Sequence, residues 1–353
     1  MSVYDCIRHR RPFISIRLAL CAVVMICLFP LAGCSRNGSI SNSGGDGKTS
    51  TNELVIGFLP KKKGISFFSS CAEGAREAAK DLGNIKLVYD GPLESDPTKA
   101  AELVNQWALQ GFDVIAVSAD DAQILGDAMR RAQQRGVKVL SWDADTPVDS
   151  RSFFVNQATP EQVGVALVDV LAKDVDSQGE MAIISSSQTS ANQNAWIEHM
   201  KKRLVHYPQM KLVATEYPGE DQDRCLTTAR TLLKAHPDLK GIWGISTMAF
   251  PGAAEAVRQA GKSGKVKITG LSTPNPMKNY VHDGTVNSVV LWDTKDLGYL
   301  TVYAAEALAT GKLKLGDTVL HAGRLGGRKI VGDNVLLGDI LVFNKDNIDK
   351  YDF

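Results

Sequence analysis

The sequence has little cysteine where cysteine would decide anything. Of its six cysteines, Cys6, Cys21, Cys27 and Cys34 fall within the first 34 residues. Cys71 and Cys225 alone serve the body of the chain, too few for a disulfide framework and without metal-ligand spacing. Two buried thiols are expected, a bridge between them being the alternative in an oxidising compartment. The six histidines (His9, His199, His206, His236, His282 and His321) are scattered at no ligand spacing. Excess positive charge is missing too. Forty basic against 39 acidic residues leave a net charge of +1, which argues against nucleic acid, a partner that demands a basic footprint. The turn Leu59 to Gly64 lacks both the Gly-x-Gly-x-x-Gly of a dinucleotide site and the Gly-Lys-Ser/Thr of a P-loop. Gly326-Gly327 is too late and too isolated to cradle phosphate. No metal, no cofactor and no catalytic residue is expected.

What is present begins with an address. Arg8, Arg10, Arg11 and Arg17 precede the apolar run Leu18 to Leu31, which Pro30 interrupts. That run has signal-peptide length and is too short for a comfortable spanning helix. It ends in Leu31-Ala32-Gly33-Cys34, which resembles a bacterial lipobox. Residues 1–33 are therefore expected to be a lipoprotein signal peptide and Cys34 the lipidated N-terminus, holding an exported protein to a membrane in the cell envelope or periplasm. Residues 34–52, rich in Ser, Asn and Gly, read as a flexible tether. Without residues 1–33 the chain carries 36 bases and 38 acids, so the body is slightly acidic.

From Glu53 onward, strand and helix alternate. Short apolar runs (Leu54–Phe58, Lys86–Tyr89, Val114–Val117, Val137–Trp142) are each followed by a helical stretch, and the first three helices stop at Gly83, Gly111 and Gly136. The rhythm resumes with strands at 181–184, 211–214, 241–243 and 266–269. Apolar strands punctuated by helices indicate parallel sheets buried on both faces. The length suits two domains. The fold class expected is α/β, with two doubly wound, Rossmann-like parallel-sheet lobes joined by a hinge of several crossings, the first at Pro147 to Thr159. The N-terminal lobe is assigned residues 53–147 with about 293–315, and the C-terminal lobe residues 148–292 with about 316–353. Residues 323–338 look loop-rich, with weak strand signal.

In open parallel sheets, ligands bind beyond the carboxyl ends of the strands. Those ends deliver Lys61, Phe67 and Phe68; then Asp143 and Asp145; then Asn192, Gln193 and Trp196; then Ser246 and Thr247; and finally Ser272, Trp292 and Asp293. Carboxylates, a lysine and amides satisfy neutral hydroxyls, while aromatic rings cover the C–H faces of a small ring. Asp143 stands out, since a carboxylate ending an apolar strand needs a partner. Asp145 and Asp293 have a second reading as helix caps or partners of a base, and Trp196 as packing. An enzyme using Asp143 and Asp145 as acid and base would lack an accompanying nucleophile or metal. A transcription regulator would need a helix-turn-helix before Leu54, where signal and tether stand.

Ile56-Gly-Phe-Leu-Pro-Lys61 with Phe67-Phe68, Tyr89-Asp-Gly-Pro92, Trp142-Asp-Ala-Asp-Thr146, Asn192-Gln-Asn-Ala-Trp196, Ser272-Thr-Pro-Asn275 and Leu291-Trp-Asp293 together resemble the type I periplasmic sugar-binding proteins of ABC importers. Within that group the pattern is most similar to the autoinducer-2-binding and rhamnose-binding branch. The resemblance implies that Lys61 and Asp143 hold ligand. An Asp-Gln pair that opens a helix in the autoinducer-2 binders is Asn192-Gln193 here, and the backbone contacts of their Pro-x-Ala segment fall at Ile245-Ser246-Thr247. It further implies a small sugar (a rhamnose-like deoxyhexose or an autoinducer-2-like furanose), an ABC permease with its ATPase as partner, and a monomer closing about its hinge. The alternative is an adaptor presenting its closed form to a membrane sensor or chemoreceptor.

Overall fold

The computed structural model describes residues 53–353; the expectations for the signal segment, Cys34 and the tether fall outside the described residues. The first part of the chain runs β1 (Leu54–Leu59), α1 (Ser66–Leu82), β2 (Ile85–Tyr89), α2 (Pro97–Leu109), β3 (Val114–Val117), α3 (Ala122–Gln134), β4 (Lys138–Trp142) and β5 (Phe154–Asn156). It continues with α4 (Pro160–Asp174), β6 (Gly179–Ile184), α5 (Ala191–Leu204), β7 (Met210–Glu216), α6 (Gln222–Ala235), β8 (Leu239–Gly244), α7 (Ala249–Gln259), β9 (Lys267–Gly270) and α8 (Pro274–His282). The tail supplies β10 (Val289–Leu291), α9 (Thr294–Ala309), β11 (Val319–His321), β12 (Gly327–Val331), β13 (Asn334–Leu336) and β14 (Leu341–Phe343).

Two sheets result. The first has the order β2-β1-β3-β4-β5-β13-β12-β11, parallel from β2 through β13 and closed by antiparallel pairings at β12 and β11. Its central strands are mostly apolar because α2 and α3 cover one face while α1 and α9 cover the other. The second sheet runs β7-β6-β8-β9, all parallel. A parallel bridge between Leu271 and Val290 carries it on to the antiparallel pair β10-β14. The two-lobed α/β architecture thus stands as read. The chain passes between the sheets three times, at β5 to α4, at β10 to α9 and at β13 to β14.

The tail corrects the lobe boundaries. Residues 319–336, assigned to the C-terminal lobe, form β11 to β13 and extend the first sheet beside β5. Only β14 and the C-terminal segment after it join the second sheet, where Asn275 N–H donates to the Phe353 carbonyl at 3.1 Å. Residues 148–156 also stay with the first sheet, since β5 pairs with β4, so the first crossing begins only after Asn156. Both errors share a cause: strands of three to five residues carry too few side chains to show a period.

A close contact between two helices sets one side of the cleft. α1 and α9 cross at Gly74 and Gly298, where a Cβ would lie inside the Lys295 and Cys71 carbonyls respectively. Only glycine lets the backbones come that close. α1 carries Phe67 and Phe68 in its first turn, and α9 begins just after Trp292, so this crossing positions the aromatic side of the site. Cys71 and Cys225 are free and buried, and burial pushes both thiols up, Cys225 to about 12. They are packing groups.

Candidate functional site

The carboxyl ends of both sheets face one cavity. Its polar wall is built from loops after β1, β4 and β7 and from the start of α5. Lys61, only 4% exposed, follows β1 and reaches across: its Nζ donates to Ser190 Oγ at 2.9 Å and to Asn192 Oδ1 at 3.0 Å. Asn192 Nδ2 returns toward Asp143, 3.4 Å from both its carbonyl oxygen and Oδ1. Near the rim, Lys62 Nζ donates to the Glu220 carbonyl at 3.2 Å and Thr189 Oγ1 to the Asp120 carbonyl at 3.3 Å. The lobes are therefore closed on each other by direct hydrogen bonds.

Asp143 occupies the turn after β4 with φ +59°, a left-handed conformation uncommon outside glycine and most tolerable for Asp or Asn. Its backbone is tied on both sides, its N–H to the Val155 carbonyl at 3.2 Å and its carbonyl to Gln157 Nε2 at 3.2 Å. The side chain accepts from Ser118 Oγ at 2.7 Å. Burial raises its carboxyl above the ordinary range, against the opposing pull of Lys61 and the Ser118 hydrogen bond. Backbone held in a sparsely populated region, with a buried carboxyl aimed into a cavity, is the arrangement ligand sites sustain.

Gln193 shows how an amide is aimed. Its Oε1 accepts from Ser185 Oγ at 2.6 Å, Ser186 Oγ at 2.7 Å and Ser186 N–H at 2.9 Å. With the oxygen saturated, the amide N–H groups are what Gln193 can offer to a ligand. The apolar wall is aromatic. Phe67 meets Phe68 and Trp292 edge-on at centroid separations of 5.1 and 6.0 Å, and Trp196 leans on Trp292 at 6.0 Å. Trp292 Nε1 is buried without a partner among the described residues, leaving a donor on a ring that otherwise covers C–H surface.

Lys61, Phe67, Phe68, Asp143, Asn192, Gln193, Trp196, Ser246, Thr247 and Trp292 all line this cavity, as the strand-end reading placed them. Three others do not. Asp145 is held bidentately by Arg151 at 2.6 and 2.7 Å, and Arg151 also grips Asp333 at 2.7 Å, joining the end of β4 to the β12–β13 turn. Positions 143 and 145 would share a face in a regular strand; the left-handed turn at Asp143 breaks that register. Asp293 caps α9, accepting from Asp296 N–H at 3.0 Å. Ser272 is buried outside the lining, where its neighbour Leu271 takes the cavity-facing position. Ile65, Glu220, Leu271 and Leu291 line the cavity without having been read as ligand contacts from sequence, and Ile245 lines it where the resemblance placed a backbone contact. The apolar members look like any core residue, and Glu220 sits late in a polar loop. Among the described residues no group of three His, Cys, Asp or Glu side chains could hold a metal, and no helix is long and apolar enough to cross a membrane.

Comparison with known proteins places this geometry. Residues 56–313 match the model of the periplasmic binding protein domain. The D-ribose/D-allose-binding protein of Pseudomonas aeruginosa is 28% identical over 239 residues, 65% of this chain and 74% of that protein. Among solved structures, LsrB from Clostridium saccharobutylicum in complex with AI-2 is 30% identical with a TM-score of 0.81, covering 85% of this chain and 100% of the other. An ABC transporter solute binding protein from Clostridium phytofermentas with bound L-rhamnose is 28% identical with a TM-score of 0.79, covering 85% and 98%.

Proposed function

Because the chain belongs to the periplasmic binding protein family, as a type I sugar-binding protein of ABC importers, we propose that it captures a small monosaccharide, either a deoxyhexose such as L-rhamnose or an autoinducer-2-like furanose, and delivers it to a permease. The observation that carries this reading is the composition of the cavity between the sheets. Lys61 and Asp143 come from the first lobe, Asn192 and Gln193 from the second, and Phe67, Phe68, Trp196 and Trp292 supply the rings. A sugar offers hydroxyls that donate to Asp143 and accept from Lys61 and Gln193, while its C–H face packs on the aromatics. Such contacts discriminate, because an absent hydroxyl leaves a buried partner unpaired.

Delivery depends on hinge closure. Ligand contacts made with both lobes favour the closed form over the open one, and three strand-to-helix or strand-to-strand crossings absorb the rotation. The hydrogen bonds from Lys61 to Ser190 and Asn192 support this, since they form only when the lobes meet. Export and anchoring at Cys34 complete the proposal: the lipobox-like end of the signal segment would hold the protein beside the permease. Mass spectrometry of the mature N-terminus, with Cys34→Ala as control, checks the anchor; an unmodified Cys34 would remove it.

Titration of tryptophan fluorescence tests the ligand class, since Trp196 and Trp292 line the cavity. Saturable changes are expected with L-rhamnose or autoinducer-2, and weaker or none with D-ribose and D-allose. Saturation by ribose alone would overturn the branch assignment.

A further inference from the structure

The loop between β7 and α6 brings a carboxyl group into the cleft that the sequence pattern did not reveal. Glu220 lines both the central cavity and a second, polar pocket beside it, so it forms part of the wall between them. Its Oε2 is fully buried and has no hydrogen-bond partner among the described residues. Buried polar oxygens in folded proteins are nearly always paired; Ser186 and Ser246 hydrogen-bond to the Glu220 carboxyl, and its Oε2 still has room for a further donor. The loop is pinned in place from the other lobe, since Lys62 Nζ donates to the Glu220 carbonyl at 3.2 Å.

We propose that Glu220 is a specificity-determining residue of the cleft, placed on the lobe opposite Asp143 to hydrogen-bond a hydroxyl of the captured sugar. The inference rests on the sugar reading and adds to it a residue that neither the strand-end pattern nor the resemblance assigned. Its surroundings also give it a signature. Burial raises the Glu220 carboxyl above its ordinary value, opposed by Lys61 and by the Ser186 and Ser246 hydroxyls, while Asp120 across the polar pocket raises it further. Arg224 also lines that pocket, and Asp221 and the buried Cys225 lie near Glu220 on the same lobe. In an open cleft the carboxyl returns to water and to its ordinary range. A group whose value is higher in the closed form takes up a proton on closure, so sugar affinity is full at acid pH and falls as pH climbs through the raised value. The neutral carboxyl also has an O–H to donate, which a carboxylate lacks. Asp143 contributes in the same direction, so the two must be separated by mutation.

The experiment is calorimetric titration of the full-length protein with L-rhamnose across acid to alkaline pH, in pairs of buffers that differ in ionisation enthalpy. D-ribose replaces L-rhamnose if it binds more tightly. The wild type is expected to take up protons on binding and to weaken several-fold toward alkaline pH. Glu220→Gln, neutral at every pH and close in shape, should lose part of that uptake and flatten the profile. Asp143→Asn should keep the Glu220 part. Glu220→Ala should lose about tenfold in affinity at acid pH, and if it fails to fold, the glutamine variant decides. Proton uptake and affinity unchanged in Glu220→Gln would overturn the assignment while leaving the sugar reading intact. A wild type that binds no sugar would end both.

Discussion

Among single residues, Asp143 carries the most. It accepts from Ser118, faces Lys61 and Asn192, and holds a left-handed backbone that the loop hydrogen bonds over-determine. Asp143→Asn keeps that conformation accessible and retains one acceptor, so it is expected to fold like the wild type with weakened sugar binding. Asp143→Ala removes charge-assisted hydrogen bonds of about 1.5–3 kcal/mol each, a loss of roughly tenfold or more in affinity. It also places alanine at positive φ, costing about 1–2 kcal/mol of stability. Calorimetry and thermal melts on both variants check the split; an Asn variant that binds as tightly as wild type would remove Asp143 from the site. Its place in the cavity was legible because a carboxylate ending an apolar strand needs a partner. Asp145 misled for a local reason: the backbone turn that presents Asp143 to the cavity sends Asp145 to Arg151. Glu220 escaped because nothing in a polar loop marks which acid folds inward.

Secondary-structure elements explain why the site is held in shape. Arg151, whose side chain is 2% exposed, joins Asp145 and Asp333 and so ties the end of β4 to the β12–β13 turn. Arg151→Ala leaves two carboxylates without their base and is expected to cost about 3 kcal/mol of stability, with sugar affinity per folded molecule unchanged. Denaturant unfolding beside calorimetry separates the two; an affinity loss without a stability loss would return Asp145 to the site. At the α1–α9 crossing, Gly298→Ala pushes a methyl group into the Cys71 carbonyl. Overpacking of that kind costs about 1–3 kcal/mol, and here it should also weaken sugar binding, because it shifts Phe67 and Phe68 against Trp292. A wild-type melting profile would contradict the crossing. The strands that alternate with helices along residues 53–270 were readable from sequence. β5 and β11 to β13 were not, being three to five residues long, and β13 joins the sheet through β5, a partner distant in sequence. α8 was missed although Pro274 at its first turn, after Thr273, is a start signal.

At the scale of the whole molecule, two lobes line one cavity. Three crossings join them, and the tail contributes to both: β11 to β13 extend the first sheet, while β14 and the C-terminus close the second. Such cross-bracing fits rotation about a hinge better than independent lobes on a single linker. Sugar binding is therefore expected to make the protein more compact in solution scattering, and Lys61→Ala to blunt that change, since Lys61 bonds to the opposite lobe as well as facing the cavity. Compaction of the Lys61 variant equal to that of the wild type would show that closure does not depend on this bridge. The central claim is that a small sugar is bound in the cleft by residues of both lobes, and calorimetric titration of the full-length protein with L-rhamnose, autoinducer-2, D-ribose and D-allose tests it most directly. The account expects one-to-one binding of L-rhamnose or autoinducer-2, lost in large part when either Asp143 or Gln193 is replaced by alanine. Absence of heat with every sugar, or binding indifferent to both substitutions, would contradict it.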